Sequence, residues 1–415
     1  MPGPYFMPFG MELLSFWEEN MTKLNSLAGN ASLSIAHMAG MIDLAALPLW
    51  IGTLMDHYQL SPERAGLTVT AFLAAIVIAS LILAPRYNRL NHRVIAFGGF
   101  TLATVAFIAI SRLSVASDTA ISLMILHAIA GLGAGSALSV THGTFGRTTN
   151  PHRIFGLANV LMGLLAIGLF AVLPGILRQF GGSALFVTFA LIMAFAALVT
   201  ILLFPVVEDR GQEAAHNGQS RRRTPLHFTV WPVIGVVVCL AMNQAMVFSF
   251  VERLGLEAGF GEGRVQIVLV IMGFINLTPG LLAIALQKRL APVLVGMVGP
   301  FLQAVLSLTM THATVFPLYA VPVAFYVAIV IFTHVFLFGL LSKIDETGRA
   351  VAATPAMMMI GSAIGPALGG GIVGTIGYHG LGWASVCIAA VASTLIFIAW
   401  RGLAKDRRLA AITVS

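Results

Sequence analysis

The sequence predicts an all-α membrane protein with twelve transmembrane helices in two pseudo-symmetric six-helix bundles, and three observations predict it. The chain is 58% hydrophobic and only 9% charged, against roughly 25% charged in soluble domains, so its bulk solvent is lipid. Charge-poor runs of the roughly 20 residues needed to cross a bilayer recur twelve times. The longest polar interruption, 205–229, divides those runs six and six. The runs are continuously apolar and lack the ten-residue alternation of a barrel strand, so they are read as helices.

In chain order the predicted helices are 32–54, 64–84, 94–111, 119–142, 154–175, 183–204, 230–251, 264–286, 291–310, 317–341, 350–374 and 380–400. Residues 32–204 make the first bundle, 205–229 a cytoplasmic central loop, 230–400 the second bundle and 401–415 a cytoplasmic tail. The N-terminal segment, 1–31, is also expected in the cytoplasm. It carries Glu12, Glu18 and Glu19 rather than a basic stretch before an apolar core, so it does not read as a cleavable signal peptide.

Twelve crossings put both termini on one side. Eighteen of the 23 Lys and Arg fall there, leaving Arg64, Arg112, Arg178, Arg253 and Arg264 on the other, and the positive-inside rule places the termini in the cytoplasm. The expected location is a bacterial inner membrane. A net charge of +7 then reports topology and contact with anionic lipid, not a nucleic-acid partner. Cys239 and Cys387 lie in apolar runs without C-x-x-C spacing, which suits helix packing and supports neither a disulfide nor a zinc site.

The two halves match at spacing. An offset of 200 superposes Asp43 on Asn243, Leu60 on Phe260 and Arg64 on Arg264, and an offset of 196 superposes Arg153 on Arg349. Internal duplication with a binding site between the halves is the architecture of rocker-switch transporters. With this repeat in place, the chain resembles the major facilitator superfamily from about Ser32 to Trp400. The loop LAPRYNRLNHR resembles that family's G-x-x-x-D-R-x-G-R-R signature at Arg86 and Arg89, with Pro85 where the Asp is expected and Asn88 where the Gly is. The resemblance implies a cytoplasmic latch or gating role for Arg86 and Arg89, with Arg153 and Arg349 as further candidates. In helix four, HAIAGLGAG puts His127 where many members carry Arg, followed by Gly131 and Gly135. Helix eleven carries GSAIGPALGGG, which resembles a pattern that antiporters of the family carry in helix five, so it assigns no direction of transport.

Asp43 is the only acidic residue inside any of the twelve predicted runs. An ionisable group at that depth is a functional hypothesis by default. Three readings stay open for it: a proton-coupling carboxyl, an ionised ligand for a cationic substrate, or a hydrogen-bonded packing residue. His127 is either a second proton-coupling group or a neutral hydrogen-bonding histidine. At 100° per residue, Trp50 falls near the Asp43 face, and His37 does not. Asn243 and Gln244 sit in helix seven at the depth of Asp43, and Tyr326 and His334 in helix ten. These four and Trp50 are the candidate substrate-binding residues. Phe248 and Phe250 are expected to form an aromatic wall, Asn159, Asn276 and Thr278 are further polar positions, and Pro48, Pro279, Pro355 and Pro366 are expected to loosen helices.

No G-x-x-x-x-G-K-[ST], H-E-x-x-H or G-x-S-x-G sequence occurs, which disfavours ATP as driver and leaves a polytopic membrane enzyme without support. No cofactor or metal is expected. The reading is a monomeric transporter of a small organic solute by alternating access, with protons and the lipid bilayer as its other partners and Asp43 as the coupling group. The alternative is an uncoupled facilitator in which Asp43 binds substrate. With Lys and Arg confined to loops, tails and helix ends, a multiply anionic solute is disfavoured, and a hydrophobic, neutral or weakly cationic one fits.

Overall fold

The computed structural model describes residues 22–114, 119–206, 226–345, 350 and 353–413. Twelve helical spans are long and apolar enough to cross a membrane: Leu27–Asp56, Pro62–Arg89, His92–Ser111, Thr119–Phe145, Arg153–Phe180, Ser183–Leu203, Val230–Glu257, Glu262–Leu286, Pro292–Thr311, Phe316–Ile344, Thr354–Ile376 and His379–Lys405. Several starts carry the local chemistry of a helix N-terminus. The Ser26 hydroxyl accepts from the Gly29 amide, the Asn91 side chain from Val94, and the Asn150 side chain from Arg153 with Pro151 next to it. These caps satisfy amides that the first helical turn leaves free.

Three spans are broken. The first is split at Met41 (φ −109°, ψ 30°) into Leu27–Gly40 and Ile42–Asp56. The seventh is split at Ser249 and Phe250 into Val230–Phe248 and Val251–Glu257, with Phe250 in a similar conformation (φ −111°, ψ 6°). The eighth turns over Asn276 to Thr278 before Pro279 restarts it, since proline has no N–H to give the preceding turn. Pro48 and Pro366 lie inside their helices, whereas Pro355 opens the eleventh span. The seventh span extends six residues past its expected end, which brings Glu252 into a buried position (8% exposed). Asp43 is therefore not the only carboxyl buried in a span.

Several buried polar groups are bonded within their own bundle. In the first, Trp50 is enclosed by Phe72, Phe107, Phe186, Phe189 and His127. In the second, the Asn243 amide donates to Ser385 (2.8 Å), Tyr326 donates to the Asn243 carbonyl (3.0 Å), and Gln303 donates to the Leu240 carbonyl (3.2 Å). The outer faces stay apolar; Ile121, Leu191, Leu281 and Phe301 are each more than 60% exposed, as lipid requires. The glycine rows pack backbones closely: Gly131 and Gly135 lie against Phe72 and Ile76 of the second span, and Gly361 and Gly365 against the seventh.

Contact between the bundles is concentrated in the half of the molecule away from the termini. There the second and eleventh spans meet backbone to backbone, Gly66 on Pro366 and Gly370 on Pro62. The Ala367 amide donates to Thr70 Oγ1 across the seam at 3.1 Å. Near mid-depth Ile167 and Leu277 fill the space over Gly273 and Gly163, joining the fifth and eighth spans. Among the described residues both ion pairs that join the bundles lie on the same side: Arg253 to Asp56 and Arg178 to Glu262. The conformation is thus closed on the side opposite the termini. A side chain at Gly66 would meet the Pro366 carbonyl, whereas Gly98 has open space around it. Gly66→Val is expected to destabilise the protein by about 1–3 kcal/mol through overpacking. Thermal unfolding in detergent checks this, with Gly98→Val expected to match the wild type.

Candidate functional site

The seam between the bundles holds a cavity of about 10 Å³, bounded by Asp43, Leu44 and Leu47 of the first span, Leu73 of the second, Gln244, Ala245 and Phe248 of the seventh, and Ser362 of the eleventh. That volume takes about one water molecule. Asp43 is 4% exposed, and its Oδ1 has no hydrogen-bond partner. The break at Met41 places it in the first turn of a new half-helix, at the positive end of that segment's dipole. Neither Lys nor Arg lines the cavity. A carboxyl buried in this way has no Lys or Arg beside it to offset the cost of its charge.

Of the candidate substrate-binding residues, Gln244 lines this cavity and the others are turned into the bundles. Asn243, one residue and about 100° away, is fully buried against Ser385. The repeat alignment paired Asp43 with Asn243; across the seam its amide neighbour is Gln244. Tyr326 is held by Asn243 and Gln303. His334 meets the Val237 carbonyl at 3.3 Å and stacks on Phe338.

Trp50 and His127 satisfy each other. The Trp50 indole donates to His127 Nε2 at 3.0 Å, and His127 Nδ1 lies 2.7 Å from the Leu123 carbonyl. An indole is only a donor, so Nε2 is the acceptor and Nδ1 carries the hydrogen. Both ring nitrogens are then used in the interior of the first bundle, and neither residue reaches the cavity. The helical wheel misplaced Trp50 because the first span crosses the seam obliquely. Asp43, Leu44 and Leu47 face it low down, whereas Gly52, roughly 80° beyond Leu44 at 100° per residue, faces it higher up against Glu252. His37 makes a helix contact, with its Nδ1 3.0 Å from His142 Nε2.

The candidate latch residues are not engaged in this conformation. Arg86, Arg89 and Arg153 are exposed on the termini side, and the Arg86 side chain bonds back to the Ile82 carbonyl. Arg349 lies outside the described residues. On that side it is Arg147 that bonds Asn88 (2.7 Å) and lies over the Tyr87 ring, all within the first bundle. On the opposite side Arg253 Nη1 contacts both oxygens of Asp56 at 2.6 and 2.7 Å. Tyr378, in the loop after the eleventh span, stands beside Arg253; burial is the main influence that raises its hydroxyl above the ordinary phenol range, so it stays neutral there. From sequence, Arg178 and Arg253 serve only as topology markers, because their acidic partners lie in distant loops and span ends.

The profile of the Major Facilitator Superfamily matches residues 33–344. Solved structures similar to the chain include a D-xylose–proton symporter (16% identity, TM-score 0.69, covering 90% of this chain and 97% of that one). The xylose transporter XylE from E. coli in a partially occluded inward open conformation is similar too (16% identity, TM-score 0.67, 89% and 96%), as is the nucleoside transporter NupG (13% identity, TM-score 0.62, 90% and 98%). At these identities the likeness is one of fold. No curated protein sequence matches the chain. The geometry around Trp50 makes its own prediction. Trp50→Phe removes the donor to His127 Nε2, and leaving that buried acceptor unpaired is expected to cost about 1–3 kcal/mol, read as a lowered midpoint of thermal unfolding.

Proposed function

The chain belongs to the major facilitator superfamily and is a membrane transporter, and from that premise we propose that it moves a small uncharged organic solute by alternating access, coupled to protons through Asp43. The observation that carries the reading is the Asp43 carboxyl, buried at the seam with an unpartnered oxygen and no cation beside it. Protonated, it fits the closed seam beside Gln244 and Ser362. Ionised, it needs water, and water enters when the bundles part. Proton binding and closure are thereby linked, and a solute that binds the same seam shares that linkage.

Gln244 and Ser362 offer an amide and a hydroxyl, groups that suit the hydroxyls and carbonyls of a neutral polar solute, and Leu44, Leu47, Leu73 and Phe248 supply apolar walls. No fixed positive charge is present there to hold a multiply anionic one. Similar structures are those of a nucleoside transporter and a D-xylose–proton symporter, and nucleosides and pentoses are solutes of this neutral, hydroxylated kind. The excess of Lys and Arg on the termini side supports cytoplasmic termini in a bacterial inner membrane, with the closed side then extracytoplasmic. Residues 32–204 and 230–400 would act as two bodies that rock about the seam, in a monomer.

The test is proton movement in proteoliposomes loaded with a pH-sensitive dye. Nucleosides, pentoses and lipophilic amines are added in turn, and a cargo is expected to drive proton flux in the wild type. Asp43→Asn is expected to lose that flux to background while solute exchange across the membrane persists. Flux retained in Asp43→Asn with an unchanged pH dependence would count against the coupling role. Selective response to amines, with loss of their binding in Asp43→Asn, would instead favour an uncoupled facilitator in which Asp43 binds a cation.

A further inference from the structure

The seventh span repeats, nearer the closed side, the arrangement that seats Asp43. Each bundle's first span is broken at a residue of similar conformation, Met41 or Phe250, and each break is followed two residues later by a buried carboxyl, Asp43 or Glu252. Both carboxyls face the other bundle's first span. Asp43 meets Gln244, Ala245 and Phe248, and Glu252 meets Gly52, where a Cβ would sit 3.2 Å from Glu252 Oε2. Gly52 is nine residues beyond Asp43, about 13 Å at 1.5 Å per residue.

The charges around Glu252 do not balance. The groups facing it are Arg253 beside it, Asp56 on the first span, Glu262 on the eighth and Tyr319 on the tenth. Arg253 gives its contact to Asp56, which is 62% exposed, and Glu262 is paired with Arg178. The Tyr319 hydroxyl donates to the Val251 carbonyl, and Tyr378 stands by Arg253. Three carboxyls therefore share two guanidinium groups, and the one left without an ion pair or side-chain hydrogen bond among the described residues is the buried one.

We propose that Glu252 is a second proton-binding residue, one that holds a proton while the bundles meet on this side and gives it up when they part. An ionised carboxylate buried against Gly52, with the nearby Arg253 already paired to Asp56, is costly, whereas a neutral carboxylic acid packs there. Parting of the first and seventh spans opens the Gly52 face and admits water to Glu252. The shut form thus holds one proton more than the open form. By linkage, raising the pH drains the shut form, by up to about tenfold in the shut-to-open ratio per pH unit, and lowering it shuts the gate. The inference rests on alternating access and not on the role of Asp43, because the gate responds with no cargo present.

The experiment is a distance measurement between spin labels on Ser114→Cys and Thr314→Cys, exposed on this side in the two bundles, in a background with Cys239→Ser and Cys387→Ser. The full chain is reconstituted in nanodiscs and titrated between about pH 5 and 9. The wild type is expected to show a long-distance population that grows with pH. Glu252→Gln, which keeps the shape of the neutral acid, is expected to stay short at every pH, and Asp43→Asn to keep the wild-type response. Should Glu252→Gln fail to fold, Glu252→Ala serves, with loss of the pH response as its expected result. A wild-type distance insensitive to pH, or a response retained without the Glu252 carboxyl, overturns the proposal. Failure of the Asp43 reading would appear separately, in the solute-driven proton flux.

Discussion

The distance between the two bundles is set where the second and eleventh spans touch backbone to backbone. Gly66 and Gly370 carry no Cβ, so the Pro366 and Pro62 carbonyls occupy the space where one would be, and the Ala367 amide reaches Thr70. In lipid this closeness is a main source of helix association, because apolar surface gains little by leaving a medium that is itself apolar. Everything else at the seam depends on it. With the bundles this near, the space at Asp43 shrinks to about 10 Å³, Glu252 is pressed on Gly52, and the side chains of Arg253 and Arg178 reach their partners.

The polar groups of the membrane interior divide into two populations. One is closed within a bundle: Trp50 with His127, and Asn243 with Ser385, Tyr326 and Gln303. These hold each body rigid, since every donor spent there is one that lipid offers no replacement for. The other population lies at the seam and is ionisable, namely Asp43 and Glu252, neither of which has an ion pair among the described residues. Unpartnered oxygens such as Asn243 Oδ1 and Ser307 Oγ also remain inside the second bundle, so what sets the seam apart is that its buried groups are carboxyls, which can change charge when the bundles part.

How much of this is legible in the sequence follows from what lipid enforces. All twelve spans are visible because each must be apolar over about 20 residues, and the glycine spacing that packs the fourth span on the second is equally plain. Span ends are less so. The first span starts at Leu27, five residues before its apolar run, and the seventh continues to Glu257, because helix persists where charge begins; Glu252 was hidden by that difference. At the site, Asp43 and Gln244 are found from sequence, as both are polar at mid-membrane depth. Trp50, His127, Asn243, Tyr326 and His334 share that signature, yet they face inward. A periodicity gives the side of a helix a residue is on, but not which neighbour lies there, and an oblique span changes neighbours along its length. Arg253 with Asp56 and Arg178 with Glu262 pair across 197 and 84 residues, separations no local pattern reveals.

The two ion pairs that bridge the bundles stand in or near water, with side chains 24–62% exposed. Exposed pairs of this kind contribute about 0.2–1 kcal/mol each, so breaking both costs on the order of 2 kcal/mol at most. Conformational exchange in a carrier is useful only if neither state is a deep well, since a minor state populated below about 0.1% throttles every cycle. Fastening the closed face with solvated charges rather than buried ones keeps the charged part of the closure cheap to undo, as the proposed alternation between two orientations requires.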